Sequence, residues 1–179
     1  MLYEKGREMA QMSMQNWLSN EIFSFGWFLL LAILIVVYAV WLKLLDKSRA
    51  GELLLIGSLA AVFFHINIMI MVDIFGLAEY MIRLVPLHVP VFASSVTLAP
   101  IILMLVQQYT SGWKGYILWS GIGMALLNFV IFPIYTFVGI LKFHNWNVFY
   151  HFLVLFAVAL FTRLIFLWIT GTQKRHIQA

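Results

Sequence analysis

His65, Thr97 and Asn128 are polar side chains set inside long apolar runs, and their spacing places them at one depth. With ~1.5 Å of rise per residue, His65 falls ~21 Å along a helix counted from Gly51, and Asn128 falls about as far from Lys114. Thr97, ~14 Å from the opposite end of its own run, reaches a similar level of a ~30 Å hydrocarbon core. An imidazole, an amide and a hydroxyl at one level could satisfy one another, which hydrocarbon would not do. Two readings follow. The three are hydrogen-bonding glue between helices, or they line a polar, proton-responsive pocket in which His65 changes charge near neutral pH.

A second collection gathers where apolar runs end: Asp73, Glu79, Tyr80, Arg83 and His88, with His144, Asn145, Trp146, Asn147, Tyr150 and His151 arriving from a later loop. Glu79 and Arg83 are spaced i, i+4, which on a helix allows an ion pair. These residues form either a solvated interfacial rim or the lining of an outward-opening cavity. In the second case Asp73, Glu79, His88 and His151 face the space and Arg83 holds an anionic headgroup or carboxylate. His144 and His151 are seven apart, but no HExxH, H-x-x-E-H or paired acidic motif accompanies them. No catalytic residue, metal or cofactor is therefore assigned. The candidate ligand-binding set is His65, Asn128, Asp73, Glu79, Arg83, His88 and His151. Arg163, alone in its run, is expected to snorkel to headgroups or to pair with Asp46 or Glu52.

The elements that position these residues follow from composition. Of 179 residues, 64% are hydrophobic and 10% charged, with mean hydropathy +0.97, whereas soluble domains are about 25% charged. Lipid is the solvent this balance requires. The net charge of +4 comes from Lys and Arg scattered in ones and twos at the ends of apolar runs, which fits membrane anchoring and not a nucleic-acid groove. With no cysteine, disulfides, thiolate catalysis and Cys lipidation are excluded. Met1–Asn20 has charges and no apolar core, unlike a cleaved signal peptide.

The expected fold is an all-α integral membrane bundle of about five spans in a single transmembrane domain covering 1–179. Helix is forced because every backbone polar group must be satisfied within lipid. The spans fall at about 24–42, 51–72, 88–107, 114–141 and 148–170. Met1–Glu21 reads as a short amphipathic helix or a mobile terminus. The segment 73–87 is too polar to cross, yet Ile74, Leu77, Met81 and Leu84 recur at helical spacing. An interfacial or re-entrant helix ended by Pro86 is expected there. Pro100 should kink the third span and Pro133 the fourth, and Gly121 and Gly123 give the fourth a small-residue face. Lys43, Lys47, Arg49, Lys114, Lys174 and Arg175 share one side, against Lys5, Arg7, Arg83 and Lys142 on the other. In the cell membrane this puts the amino terminus outside and the carboxyl terminus in the cytoplasm.

From Phe64 to Thr170 the layout resembles a family of small five-span membrane proteins of spore-forming bacteria. The resemblance rests on Asp73 and Tyr80 after span two, Pro86 and Pro90, the run APIILMLVQQYTSGWKGY from Ala99 to Tyr116, Pro133, and the Asn145–Trp146 pair. It implies a five-span fold and no catalytic residues. The expected function is a non-catalytic component that binds a ligand or lipid for a transport or sensing assembly. The alternatives are an embedded enzyme acting on a lipid headgroup through Asp73, Glu79, His88 or His151, and a structural subunit. Expected partners are membrane lipids, other membrane subunits or a second copy, and no nucleic acid.

Overall fold

The computed structural model describes residues 2–86, 94–144 and 146–177. Met, Gln, Glu, Arg and Ala, all good helix formers, build α1 over Leu2–Asn16, which continues as a π-helical turn over Trp17–Glu21. Ser24 then caps α2, Phe25–Leu44, by accepting the Trp27 N–H at 3.2 Å. A short 3₁₀ turn at Lys47–Arg49 leads into α3, Ala50–Met69, extended by a second π turn at Ile70–Ile74. After β1 (Ala78–Tyr80) come α4 (Leu98–Tyr109) and α5 (Trp113–Leu126), and a third π turn at Leu127–Ile131 joins α5 to α6 (Phe132–Phe137). β2 (Leu141–Phe143) and the long α7 (Val148–Ile177) complete the chain.

Four of these helical stretches are long and apolar enough to cross a membrane: Phe25–Leu44, Lys47–Ile74, Trp113–Phe137 and Val148–Thr172. They lie where spans one, two, four and five were expected. The third differs. The twelve residues of α4 cover ~18 Å, short of a ~30 Å core; residues 87–93, His88 and Pro90 among them, lie outside the described residues. The path of the chain is nonetheless visible against α2. Trp27 Nε1, near the start of α2, donates to the Leu84 carbonyl at 3.1 Å, and at its other end the Leu44 carbonyl accepts from Gln108 Nε2 at 2.9 Å. Between Leu84 and Gln108 the chain therefore runs the ~30 Å length of a 20-residue helix. Midway, Tyr38 Oη donates to the Val96 carbonyl at 2.8 Å, supplying a partner to backbone that no helix satisfies.

The segment 73–87 is also not the expected helix. Gly76 takes φ +58° and ends the π turn, and a helix cannot continue through that left-handed step. β1 then pairs antiparallel with β2, in the register Ala78↔Phe143, Glu79↔Lys142, Tyr80↔Leu141. Both triplets alternate inward apolar, outward charged, inward apolar, so a period of two overrides the looser period near 3.6. Gly139, at φ +79°, makes the corresponding reversal before β2, so the fourth helix stops at Phe137 instead of reaching residue 141. 

The core is organised on α3. Leu53, Ile56, Ala60, Phe64 and Ile68 form one buried stripe, which meets Ile101, Leu103 and Met104 of α4 and Leu155, Ala159 and Phe166 of α7. The opposite faces carry exposed Leu54, Val62 and Ile66, as a helix bathed in lipid should. In a membrane, where lipid tails are as apolar as such side chains, helices are held by van der Waals fit and by polar contacts more than by the hydrophobic effect.

Candidate functional site

Glu21 is an acidic residue immediately before the first apolar run, yet it is 2% exposed. The π turn at Trp17–Glu21 directs its carboxylate at Arg83, whose Nε and backbone N–H both donate to Oε2, at 3.0 and 2.9 Å, while Nη2 donates to Oε1. Asn16 Nδ2 adds a bond to Oε1 at 3.0 Å, and Arg83 Nη1 reaches Ser13 Oγ at 3.1 Å. Trp17 Nε1 donates to the Arg83 carbonyl at 2.9 Å. Each acceptor lone pair of a buried charge is thus engaged by donors in a planar fork, the arrangement that offsets desolvation. The clasp ties α1 to the segment after β1.

Under α1 lies an open cleft of about 680 Å³. Met9, Ala10 and Met14 give it an apolar roof, Val72 and Met81 an apolar wall, and Ser13, Glu79, Tyr80 and Arg83 a polar edge. Val72 and Tyr80 also line a second, much smaller cavity of about 20 Å³ on the other side, bounded by Ile68, Phe143 and His151. That space holds about one water. Burial pushes the Tyr80 phenol up to about 12, against the opposing pull of its bond to Ser94, so this partition is neutral at any physiological pH.

His151 and Asn128 form the second centre. Asn128 sits in the π turn before Pro133, which lacks an N–H and cannot continue the regular ladder. Its Nδ2 donates to the Val148 carbonyl at 2.9 Å, leaving Oδ1 to accept from His151 Nδ1 at 2.8 Å. That bond fixes His151 in the Nδ1–H tautomer while Phe132 stacks on the ring at 5.1 Å and Phe143 meets it edge-on at 5.4 Å. A neutral imidazole held this way keeps its Nε2 lone pair for a donor.

The expected partnerships therefore change. Asn128 joins His151 and not His65, whose Nδ1 lies 3.4 Å from Ser95 Oγ, three residues before α4. Glu79 does not pair with Arg83. On a strand, residues four apart lie ~13 Å from one another, and Glu79 instead faces Lys142 across the pair and His144 Nε2 at 3.2 Å. Arg83 is committed to Glu21, so it does not stand open for an anionic headgroup. Asp73 is exposed on the π turn at Ile70–Ile74, and His88 lies outside the described residues. Arg163 pairs with neither Asp46 nor Glu52: Asp46 accepts from Ser48, and Glu52 from Arg49 and Gln107. Among the described residues no three His, Asp or Glu side chains gather as a metal site requires.

Sequence reasoning missed Glu21, Ser13 and Trp17. The available signal was charge: Arg83 is a cation at the same end of the bundle as Glu21, an acidic residue just before the first apolar run. The π turns carry a second signal, since three of them place Glu21, Asp73 and Asn128, and such turns recur at functional positions.

The fold and these centres define a helical chain with four helices long and apolar enough to cross a membrane and a cleft covered by its amino-terminal helix. No known protein family, characterised protein or solved structure matches it.

Proposed function

We propose that this chain is a membrane-embedded binding component that takes an amphipathic, lipid-like ligand in the cleft beneath α1, in the service of a transport or sensing assembly. The cleft itself carries the reading. Its volume, about 680 Å³, lies within the ~300–1,000 Å³ of small-molecule sites, and its lining divides into methionine-rich and polar sides. Methionine is unbranched and polarizable, so it adapts to acyl chains of varied shape. Ser13 offers a hydroxyl to a headgroup.

Binding is favoured over catalysis on a lipid headgroup. Two of Asp73, Glu79, His88 and His151 would have to converge on one cavity, and among the described residues Glu79 lies at the cleft edge while His151 lies behind the Tyr80 partition. On this reading the chain crosses the cell membrane five times, with α4 in the third crossing, between Pro86 and Tyr109. The cleft end faces outward and the end with Lys43, Lys47, Arg49 and Lys114 faces the cytoplasm.

Thermal unfolding of the detergent-purified protein with a panel of lipids and small amphiphiles tests this, using Ala10→Trp to fill the cleft from its roof. A ligand present at 100 times its Kd stabilises by ~2.7 kcal/mol; a rise in wild-type Tm that Ala10→Trp abolishes is expected. If no compound shifts the wild type, or if Ala10→Trp shifts as fully as wild type, the cleft is not a binding site.

A further inference from the structure

At the opposite end of the bundle Arg163 is 4% exposed on a lipid-facing helix and has no carboxylate within ion-pair distance among the described residues. Its guanidinium lies 4.2 Å above the Tyr116 ring and 5.1 Å from the Trp113 ring, and Tyr116 is itself pinned by Oη donating to the Ala159 carbonyl at 3.1 Å. The rings answer the charge at the flat face. They leave the in-plane N–H groups unserved: Nε and Nη1 have no acceptor, and Nη2, also without one, reaches the surface. A buried charge whose donors point at nothing is a costly arrangement, and Nη2 is the corner of the planar fork at which an oxygen of an anion arriving from the surface is met.

Two neighbouring features favour the same ligand sign. Trp113 is the first residue of α5, whose cap Gly112 supplies no side-chain acceptor, so the positive end of that helix dipole lies beside Arg163. Lys114 stands exposed on the next position. The surrounding surface is apolar, with Leu164, Leu167 and Trp168 exposed, so an anion reaching this point must bring hydrocarbon with it. We propose that the phosphate group of an anionic phospholipid seats on Arg163, between α5 and α7, with its acyl chains along the exposed face of α7. The seat lies at the other end of the molecule from the cleft under α1 and does not rest on the reading of that cleft.

Native mass spectrometry of the full chain from detergent, with phosphatidylglycerol against phosphatidylcholine, measures this directly. One phosphatidylglycerol retained with about tenfold preference is the expected result for wild type, since a fork-to-phosphate contact adds a charge-assisted pair that a zwitterion weakens. Arg163→Gln should remove the preference, Arg163→Lys should reduce it, and Ala10→Trp should leave it intact. Equal retention of the two lipids by wild type overturns the proposal without any variant, which covers the case in which Arg163→Gln does not fold. A preference that survives in folded Arg163→Gln overturns it also. Competition with millimolar inorganic phosphate separates the sources: failure to displace the lipid supports a phospholipid seat, while displacement assigns the site to free phosphate and overturns the lipid.

Discussion

Asn128 and His151 show how an amide and an imidazole can be buried in a span. Each needs the other, because His151 Nδ1–H has Asn128 Oδ1 as its acceptor and Asn128 Nδ2 is turned to the Val148 carbonyl. Replacing Asn128 by Leu leaves a buried N–H without a partner, a loss of about 1–3 kcal/mol by general experience, reduced toward ~0.6 kcal/mol where the unfolded state in a membrane finds substitutes. Replacing both residues removes donor and acceptor together. Since His151 already lies between the Phe132 and Phe143 rings, Asn128→Leu with His151→Phe should recover most of that loss in a thermal or SDS-unfolding titration. A double variant no more stable than Asn128→Leu alone would show that His151 holds the fold by something other than this bond. Depth along a helix could be counted from the sequence, and it put Asn128 beside His65. Rotation about the helix axis could not, and the π turn before Pro133 is what aims Asn128 at His151.

The element most in need of explanation is α4, a twelve-residue helix whose partners must hold it against unwinding. Two glycines do so. A Cβ on Gly57 of α3 would stand 2.5 Å from Met104 Sδ, and one on Gly123 of α5 would collide with Ile102 Cγ2, so both flanking helices approach α4 where they have no side chain. The two neighbours differ in stiffness. Methionine can swing its thioether aside at little cost, whereas β-branched isoleucine has one strongly preferred rotamer in a helix. Gly123→Ala should therefore lower stability by about 1–3 kcal/mol and Gly57→Ala by less, and Ile102→Ala should restore part of the Gly123→Ala loss. The reverse order in thermal unfolding would place the tight seam on α3. The expected small-residue face with Gly121 and Gly123 is instead two separate approaches, because residues two apart on a helix do not face one way: Gly121 meets Phe156 of α7 and Gly123 meets Ile102 of α4. The β1–β2 pair was not legible in the sequence, since three alternating residues per strand are too few to stand out against the spacing of Ile74, Leu77, Met81 and Leu84, and the deciding Gly76 and Gly139 act only through positive φ.

At the scale of the whole molecule the polar groups are sorted by end. Glu21, Arg83, Glu79, Lys142 and His144 meet around α1 and the strand pair. At the other end Asp46 N–H bonds Gln108 Oε1 at 3.0 Å, Arg49 Nη1 bonds the Gln108 carbonyl at 3.2 Å, and Gln107 Nε2 bonds Glu52 at 3.0 Å. Between the ends the surface is aliphatic and aromatic, which is why the long helices could be read from composition: lipid permits few alternatives. The two ends differ in basic residues, with Lys43, Lys47, Arg49 and Lys114 near one and Arg83 and Lys142 near the other, and cations collect on the cytoplasmic side. A chain without cysteine makes this directly testable, because any thiol introduced is the sole target of a maleimide. In intact cells Lys142→Cys should react with a membrane-impermeant maleimide, while Lys47→Cys and Lys114→Cys should react only after permeabilisation. Lys47 precedes α3 and Lys114 follows α4, so their agreement also tests whether the chain between Pro86 and Tyr109 makes the return crossing after α3. Labelling of Lys47→Cys and Lys114→Cys from opposite sides would mean that the chain between Pro86 and Tyr109 does not cross, and the odd number of crossings, with the outward cleft that depends on it, would fall.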